Sequence, residues 1–261
     1  MAIVVQKIGI IGGTGKMGKW FAQLFMKVGY EVLISGRTTP LTAIDIAKQC
    51  DVVVISVPIE KTIDVIKETG PLISKNGVMM DLTSIKSDPV SAMLEFSSAE
   101  VVGIHPLFGP SDIGREGLNI ALCPGRGTRG FEWIRRLFTK EGFHTFCIEA
   151  KEHDKIMGLI QGVNHLSTIA LAVCIQRAGF KTRDIINLST RTFTERLERI
   201  KDIIEQPTEL FGSLLMQNPY AAEFVETYRK SVRDLIKITK ENNNEAFDVM
   251  FKELNVIFRD I

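Results

Sequence analysis

The sequence predicts an α/β fold: a Rossmann-type doubly wound, mostly parallel sheet followed by an all-α C-terminal domain. Two observations carry this. Short β-branched apolar runs alternate with helical periods up to about residue 149, and a glycine-rich turn separates the first run from the first helix. From Lys151 onward only helical periods remain. The expected domains are therefore 1–149, binding a dinucleotide, and 150–261, helical, serving substrate and dimerisation.

The elements follow in order. Residues Lys7 to Ile11 are β-branched and end at glycine. Met17, Phe21, Leu24, Phe25 and Val28 then fall on one helix face, and Gly29 suits its C-terminal end. Glu31 to Ile34 reads as the second strand. The run from Asp51 to Val57 is apolar on both faces, as a central parallel strand is. Further strands are expected at Val78 to Asp81, Val101 to Ile104, Ile120 to Leu122 and Thr145 to Ile148. In the helical half, breaks are expected near Gly179, Gln206-Pro207, Asn218-Pro219 and the Glu241-Asn-Asn-Asn-Glu turn. The stretch from Leu159 to Ile175 is apolar nearly all round, which requires burial in its own domain or against a second copy.

Composition bounds the function. The chain has 261 residues, 45% of them hydrophobic, with Lys+Arg 32 against Asp+Glu 31. That balance argues against a nucleic-acid footprint while leaving room for a local anion pocket. The greasiest segment, Leu166 to Ile175, is shorter than the roughly 18 residues a membrane helix needs. The N-terminus runs straight into a strand, leaving no room for a signal peptide, so a soluble cytoplasmic protein is expected. Cys50, Cys123, Cys147 and Cys174 lie far apart without metal-ligand spacing, so no metal is expected and buried thiols acting as small hydrophobes are.

The turn contains Gly13-Thr14-Gly15-Lys16-Met17-Gly18 between strand and helix. Gly13 is read as allowing the tight turn, Gly15 as letting the backbone approach a pyrophosphate and Gly18 as permitting close helix–strand packing, with phosphates at the helix N-terminus. Enzymes that use NAD usually carry an acid about 20 residues on, at the end of the second strand. Here Ser35-Gly36-Arg37-Thr38 stands there, so Arg37 with its hydroxyl neighbours favours NADP over NAD, unless Arg37 is a solvated turn residue.

Two further segments fall where strand ends line the crevice beyond the sheet's carboxyl edge: Asp81-Leu-Thr-Ser-Ile-Lys86 and His105-Pro-Leu-Phe-Gly-Pro110. His105, fixed by the next proline, is a candidate proton acceptor, and Ser84 a candidate to orient it or touch the nicotinamide. A structural histidine is the alternative.

Those two segments, with Gly12-Gly-Thr-Gly-Lys-Met-Gly18, Ser56-Val-Pro-Ile59 and the run from Glu152-His-Asp to Asn164-His165, occur in the order that resembles the prephenate/arogenate dehydrogenase family of tyrosine biosynthesis, in its stand-alone form. The resemblance implies NAD(P)-dependent oxidative decarboxylation of prephenate to 4-hydroxyphenylpyruvate, or of arogenate to tyrosine. It places the family's catalytic histidine on His105 and its partner serine on Ser84, and puts Val57, Pro58 and Ile59 on the cofactor side. His165 falls on a substrate-contacting histidine, with Gln161 on the same helix face and Asn164 beside it, while His153 reads as a cap or cofactor-side residue. The family also clamps a substrate carboxylate with an arginine. An ungapped alignment puts Asp202 at that position; a short gap before Pro207 puts Arg199 there, with Arg196 next, and both arginines have nearby acids that suit plain helix charges. The family pairs through its helical domain, so a homodimer is expected.

Two other classes stay open. A β-hydroxyacid dehydrogenase or imine reductase carries a Lys or Asp along the interdomain helix, where this chain offers Asp154 and Lys155 only at the start. A non-catalytic NAD(P)-sensing module would not need His105.

Overall fold

A computed structural model describes residues 5–110 and 117–259. The start of the chain, Met1 to Val4, on which the expectation about a signal peptide partly rests, lies outside them. Seven strands form one sheet in the order β2-β1-β3-β4-β5-β6-β7. They are β1 (Lys7–Ile11), β2 (Glu31–Ser35), β3 (Val52–Ile55), β4 (Val78–Asp81), β5 (Glu100–Pro106), β6 (Asn119–Pro124) and β7 (His144–Cys147). All neighbouring pairs are parallel except β5 and β6, which run antiparallel from Val102↔Pro124 to Pro106↔Ile120.

Helices cover both faces: α1 (Lys16–Lys27), α2 (Ala43–Gln49), α3 (Ile59–Thr69), α4 (Ser87–Phe96) and α5 (Arg129–Lys140). One face buries Ile8, Ile10, Val52, Val54, Met80 and Ile104 under Phe21 and Phe25 of α1 and Phe138 of α5. The other buries Val53, Ile55, Met79 and Val101 under Ile46 of α2, Ile66 of α3 and Met93 of α4. Two covered faces explain why the central strands are apolar without alternation. The first helix ends as its sequence suggests: Gly29 takes φ +96° and the Tyr30 N–H donates to the Phe25 carbonyl at 3.1 Å.

The second half is helical: α6 (Ala150–Met157), a π-helical segment over Gly158–Val163, α7 (Asn164–Ala178), α8 (Thr182–Asn187), α9 (Arg191–Ile204), α10 (Thr208–Met216), α11 (Ala221–Lys240) and α12 (Asn244–Ile257). The breaks fall at Gly179, in the left-handed region, at Pro207, at Pro219 and at the asparagine run, where Asn242 has φ +48°. An unforeseen one separates α8 from α9 around Ser189.

Three expectations change. The apolar stretch from Leu159 to Ile175 is not buried by its own domain: Leu159 and Ile160 are 50% and 53% exposed, and no residue of α7 is buried. Its first part is π-helical, and Gly158 and Gly162 there lie so close to α11 that a Cβ would meet Tyr220 and Ala221 at 3.1 and 3.2 Å. The continuous helical run Ala150–Ala178, 29 residues, is long and apolar enough by composition to cross a membrane, which the shorter Leu166 to Ile175 segment did not suggest. Finally, Cys50 and Cys123 are buried but Cys147 and Cys174 are exposed.

Candidate active site

The glycine turn sits at the carboxyl end of β1, where the chain order reverses between β1 and β3. Its positive φ lies at Gly12 (+83°), not at Gly13, which corrects the assignment of the tight turn. A Cβ on Gly12 would fall 2.2 Å from the Ser56 carbonyl oxygen, and one on Gly13 would fall 2.7 Å from Ile34 Cβ. Gly18 is held 2.6 Å (as a virtual Cβ) from the Gly12 carbonyl, so α1 packs directly on the turn. Gly15 is different: a Cβ there meets only the Gly12 carbonyl, at 3.3 Å, leaving an open approach. Gly15 is also the N-cap of α1, without a side-chain cap or an acid in the first turn, and Thr14, Gly15 and Lys16 are exposed with Met17 half-buried. Uncapped helix amides, a positive dipole end and a lysine at the first position are the features an anion needs.

The end of β2 closes this turn from the side. The buried Ser35 accepts the Gly12 and Gly13 N–H groups on its carbonyl at 2.9 and 3.0 Å, so its backbone shapes the turn. Thr14 abuts Gly36 so tightly that a Cβ there would fall 2.4 Å from its Oγ1. Arg37 and Thr38 are exposed beyond it, and the loop is tied by Thr39, whose Oγ1 accepts the Gly36 N–H at 2.8 Å and donates to the Leu41 carbonyl. Val57 packs on Gly12, the exposed Pro58 is the N-cap of α3, and Ile59 begins that helix.

His105 lies at the end of β5, 3% exposed. Its hydrogen-bond partner is His153 of α6, Nδ1 to Nε2 at 2.8 Å, rather than Ser84, which is half-buried on the neighbouring loop. The His153 Nδ1 in turn lies 2.8 Å from Asp154 Oδ1. Asp154 also accepts the backbone N–H groups of Lys86 and Ser87, each at 2.7 Å, and its carbonyl accepts Asn218 Nδ2–H at 2.8 Å. Beneath this chain Lys86, wholly buried, pairs with the Asp81 carboxylate and donates to the Ile104 carbonyl at 2.8 Å, one residue before His105. Thr83 donates to the same Asp81 carboxylate. Burial, then the His153 ring and the Lys86 charge, hold His105 well below the ordinary histidine value. Burial pushes Asp154 up, but hydrogen bonds from His153, Ser87 and Lys86 outweigh it and leave the carboxyl below its ordinary value. Pattern alone read His153 as a cap or cofactor-side residue and gave Asp154, Lys86 and Asp81 no part beside His105. The adjacent His-Asp pair at a helix start was a signal; a buried lysine gives none, because lysine is normally exposed.

A second cluster lies in the helical domain. His165 packs edge-on against Phe211, ring centres 5.0 Å apart, and its Nδ1 is buried without a partner among the described residues. Burial, then the nearby Arg199 charge, lower its pKa. The structure sets the exposed Arg199 near enough to His165 to oppose its charge, leaves Arg196 and Asn164 exposed and Gln161 half-buried, and places His165 twelve residues after His153 along one helical run.

Residues 34–145 match the family model described as prephenate dehydrogenase, nucleotide-binding domain, and residues 149–253 match prephenate dehydrogenase, dimerization domain. A Methanocaldococcus jannaschii protein named "Probable arogenate/prephenate dehydrogenase" is 31% identical, over 94% of this chain and 59% of its own length, so the chain spans about three fifths of that relative. The crystal structure of prephenate dehydrogenase from A. aeolicus in complex with hydroxyphenyl propionate and NAD+ aligns with a TM-score of 0.77 at 18% identity, over 100% of this chain and 99% of that one. That of Synechocystis arogenate dehydrogenase gives 0.74 at 17% identity, over 98% and 100%. At these identities the two structures establish the fold.

Proposed function

We propose that this chain, which belongs to the prephenate dehydrogenase family, oxidatively decarboxylates prephenate to 4-hydroxyphenylpyruvate, with arogenate to tyrosine as the second reading because relatives carry both names. The family makes it an oxidoreductase with a nicotinamide cofactor. The observation that carries the substrate reading is His105: a buried, uncharged imidazole at a strand end on the crevice edge, next to the dinucleotide turn.

The residues present fit a dinucleotide. The open face at Gly15, the uncapped first turn of α1 and Lys16 suit a pyrophosphate. Arg37 and Thr38, exposed where an acid would otherwise hold a ribose hydroxyl, favour a 2′-phosphate and hence NADP.

When bound, the nicotinamide supplies the hydride acceptor. His105 accepts the proton of the hydroxyl on the carbon that loses hydride, while the ring carboxylate leaves as carbon dioxide. The electron pair of that broken bond aromatises the ring, and His105 returns the proton to the phenolic oxygen. Ser84 stands on the neighbouring loop, after β4. His165 and Arg199 hold the side-chain carboxylate in this reading, with Arg196, Gln161 and Asn164 as its outer contacts. Aromatisation supplies much of the driving force, so orientation and one base suffice. Turnover of NAD and NADP with prephenate and with arogenate, for the wild type and His105→Asn, tests this. Activity that collapses in the variant with dinucleotide binding intact is expected; no turnover with either substrate rejects it.

We also propose a homodimer. The exposed apolar face of Ala150–Ala178, together with the groove of about 300 Å³ between α7 and α9 lined by Ile169, Val173, Ile200 and Ile204, suits a second copy better than lipid, in a domain whose family is described by dimerization. Sedimentation showing the single-chain mass rejects it. We place the protein in the cytoplasm, where its free cysteines stay reduced; cell fractionation checks this.

A further inference from the structure

We propose that His153 and Asp154 are positioning residues that fix the single proton of the His105 ring on Nδ1 and so leave its Nε2 bare. This rests on the reading of His105 as the proton acceptor and states what prepares it for that role.

The argument starts from groups that cannot reverse. A peptide N–H can only donate, and the N–H groups of Lys86 and Ser87 point at the two oxygens of Asp154, each at 2.7 Å. They hold the Asp154 side chain as a carboxylate, which can only accept. The nitrogen facing it, His153 Nδ1 at 2.8 Å, must therefore carry a proton. In an uncharged ring that leaves His153 Nε2 as an acceptor, and the nitrogen facing it is His105 Nδ1, also at 2.8 Å. That nitrogen must donate. His105 has one proton, because burial, the His153 ring and the Lys86 ammonium all oppose its charged form. Its Nε2 is then left without a proton, whereas the unprotonated His153 Nε2 is already taken up by His105 Nδ1.

The groups around the pair agree from each side. From the loop after β4, Lys86 neutralises Asp81 and sends its ammonium to the Ile104 carbonyl. From the loop before α11, Asn218 fixes the Asp154 backbone. The whole chain crosses the junction between the two domains: His105, Lys86 and Ser87 belong to the sheet domain, His153 and Asp154 to the first helix of the other. Docking of α6 on the sheet edge is therefore what sets the His105 tautomer. When His105 Nε2 takes a proton, the new imidazolium still donates from Nδ1 toward His153 and Asp154, so the acquired charge is met without any group moving.

The chain has four histidines, which makes ring-nitrogen NMR tractable. The full-length protein, labelled with ring-¹⁵N histidine and held near pH 8, is compared with His105→Asn for assignment. The expected spectrum has His105 protonated on Nδ1 and bare on Nε2, and His153 likewise. In Asp154→Ala His153 Nδ1 loses the acceptor it shares with the Lys86 N–H, nothing holds its proton there, and the His105 proton redistributes toward Nε2. Turnover with prephenate then falls about 10²- to 10⁴-fold in kcat while dinucleotide affinity stays within about twofold. His153→Gln, whose carbonyl accepts from His105 Nδ1, keeps the tautomer and stays within about tenfold of the wild-type kcat. A wild-type His105 protonated on Nε2, a doubly protonated His153 at this pH, or an unchanged tautomer in a folded Asp154→Ala overturns the inference. If that variant does not fold, the wild-type spectrum decides alone. An Nδ1 proton together with no turnover of prephenate or arogenate rejects the proposed reaction and leaves the tautomer assignment standing.

Discussion

The Asp154 carboxylate accepts the backbone N–H of Lys86 at 2.7 Å, so a residue of the helical domain caps the N-terminus of α4 in the sheet domain. No side chain of α4's own segment does so. Asp154→Ala removes hydrogen bonds to the buried Lys86 amide and the half-buried Ser87 amide and leaves His153 without its acceptor. A loss of about 1–3 kcal/mol is expected from urea unfolding midpoints. An unchanged midpoint would show that water caps α4 equally well.

The Asp81–Lys86 pair is wholly buried, and the other oxygen of Asp81 has no partner among the described residues. Removing one member strands a charge, so Lys86→Met should cost about 3–5 kcal/mol. The double variant with Asp81→Leu should recover part of that loss in a denaturation cycle. Full additivity of the two single changes would mean the pair is not coupled in the folded protein.

Acid should destabilise the fold as pH falls through the ordinary histidine range. His105 and His165 both have lowered folded-state pKa values, the first from burial, His153 and Lys86, the second from burial and Arg199. The unfolded chain takes up protons near the ordinary histidine value, about 6.5, that the folded chain refuses. Stability is therefore full above that value and declines as pH falls below it. Urea midpoints between pH 5 and 8 check this, and His105→Asn should flatten the slope. A midpoint that rises toward pH 5 contradicts the assignment.

Two glycines of the turn should separate fold from binding. Gly12→Ala forces a Cβ to 2.2 Å from the Ser56 carbonyl at φ +83°, and loss of folded protein is expected. Gly15→Ala meets only the Gly12 carbonyl at 3.3 Å, so Tm should change by a few degrees at most. That methyl still occupies the phosphate approach, and dinucleotide affinity should fall about tenfold or more by fluorescence titration. Equal affinity in a folded Gly15→Ala protein would place the phosphates elsewhere.

Arg37 extends into solvent at the end of β2. If it receives a 2′-phosphate, Arg37→Ala should lower kcat/KM for NADP about 10-fold or more and leave that for NAD nearly unchanged. A uniform effect on both cofactors would make it an ordinary surface charge.

Much of this protein was legible from residue order, because local backbone geometry writes itself into short patterns. The glycine-ended β-branched run from Lys7 to Ile11, the helix face from Met17 to Val28 and the break at Gly179 depend only on period, turn chemistry and glycine's reach into positive φ. His105 was legible as a strand-end histidine for the same reason. Its partner was not: His153 lies 48 residues away, and Asp154 reaches Lys86 across 68. Nor does any local pattern distinguish Lys86, buried under Asp81, from the many lysines in solvent. The π-helical turn at Gly158–Val163 likewise lies against Tyr220 and Ala221, which are distant in sequence. Periodicity fixes what a segment becomes, since it acts within a few residues. Which buried polar groups meet is decided only when α6 docks on the sheet and each must find a partner away from water.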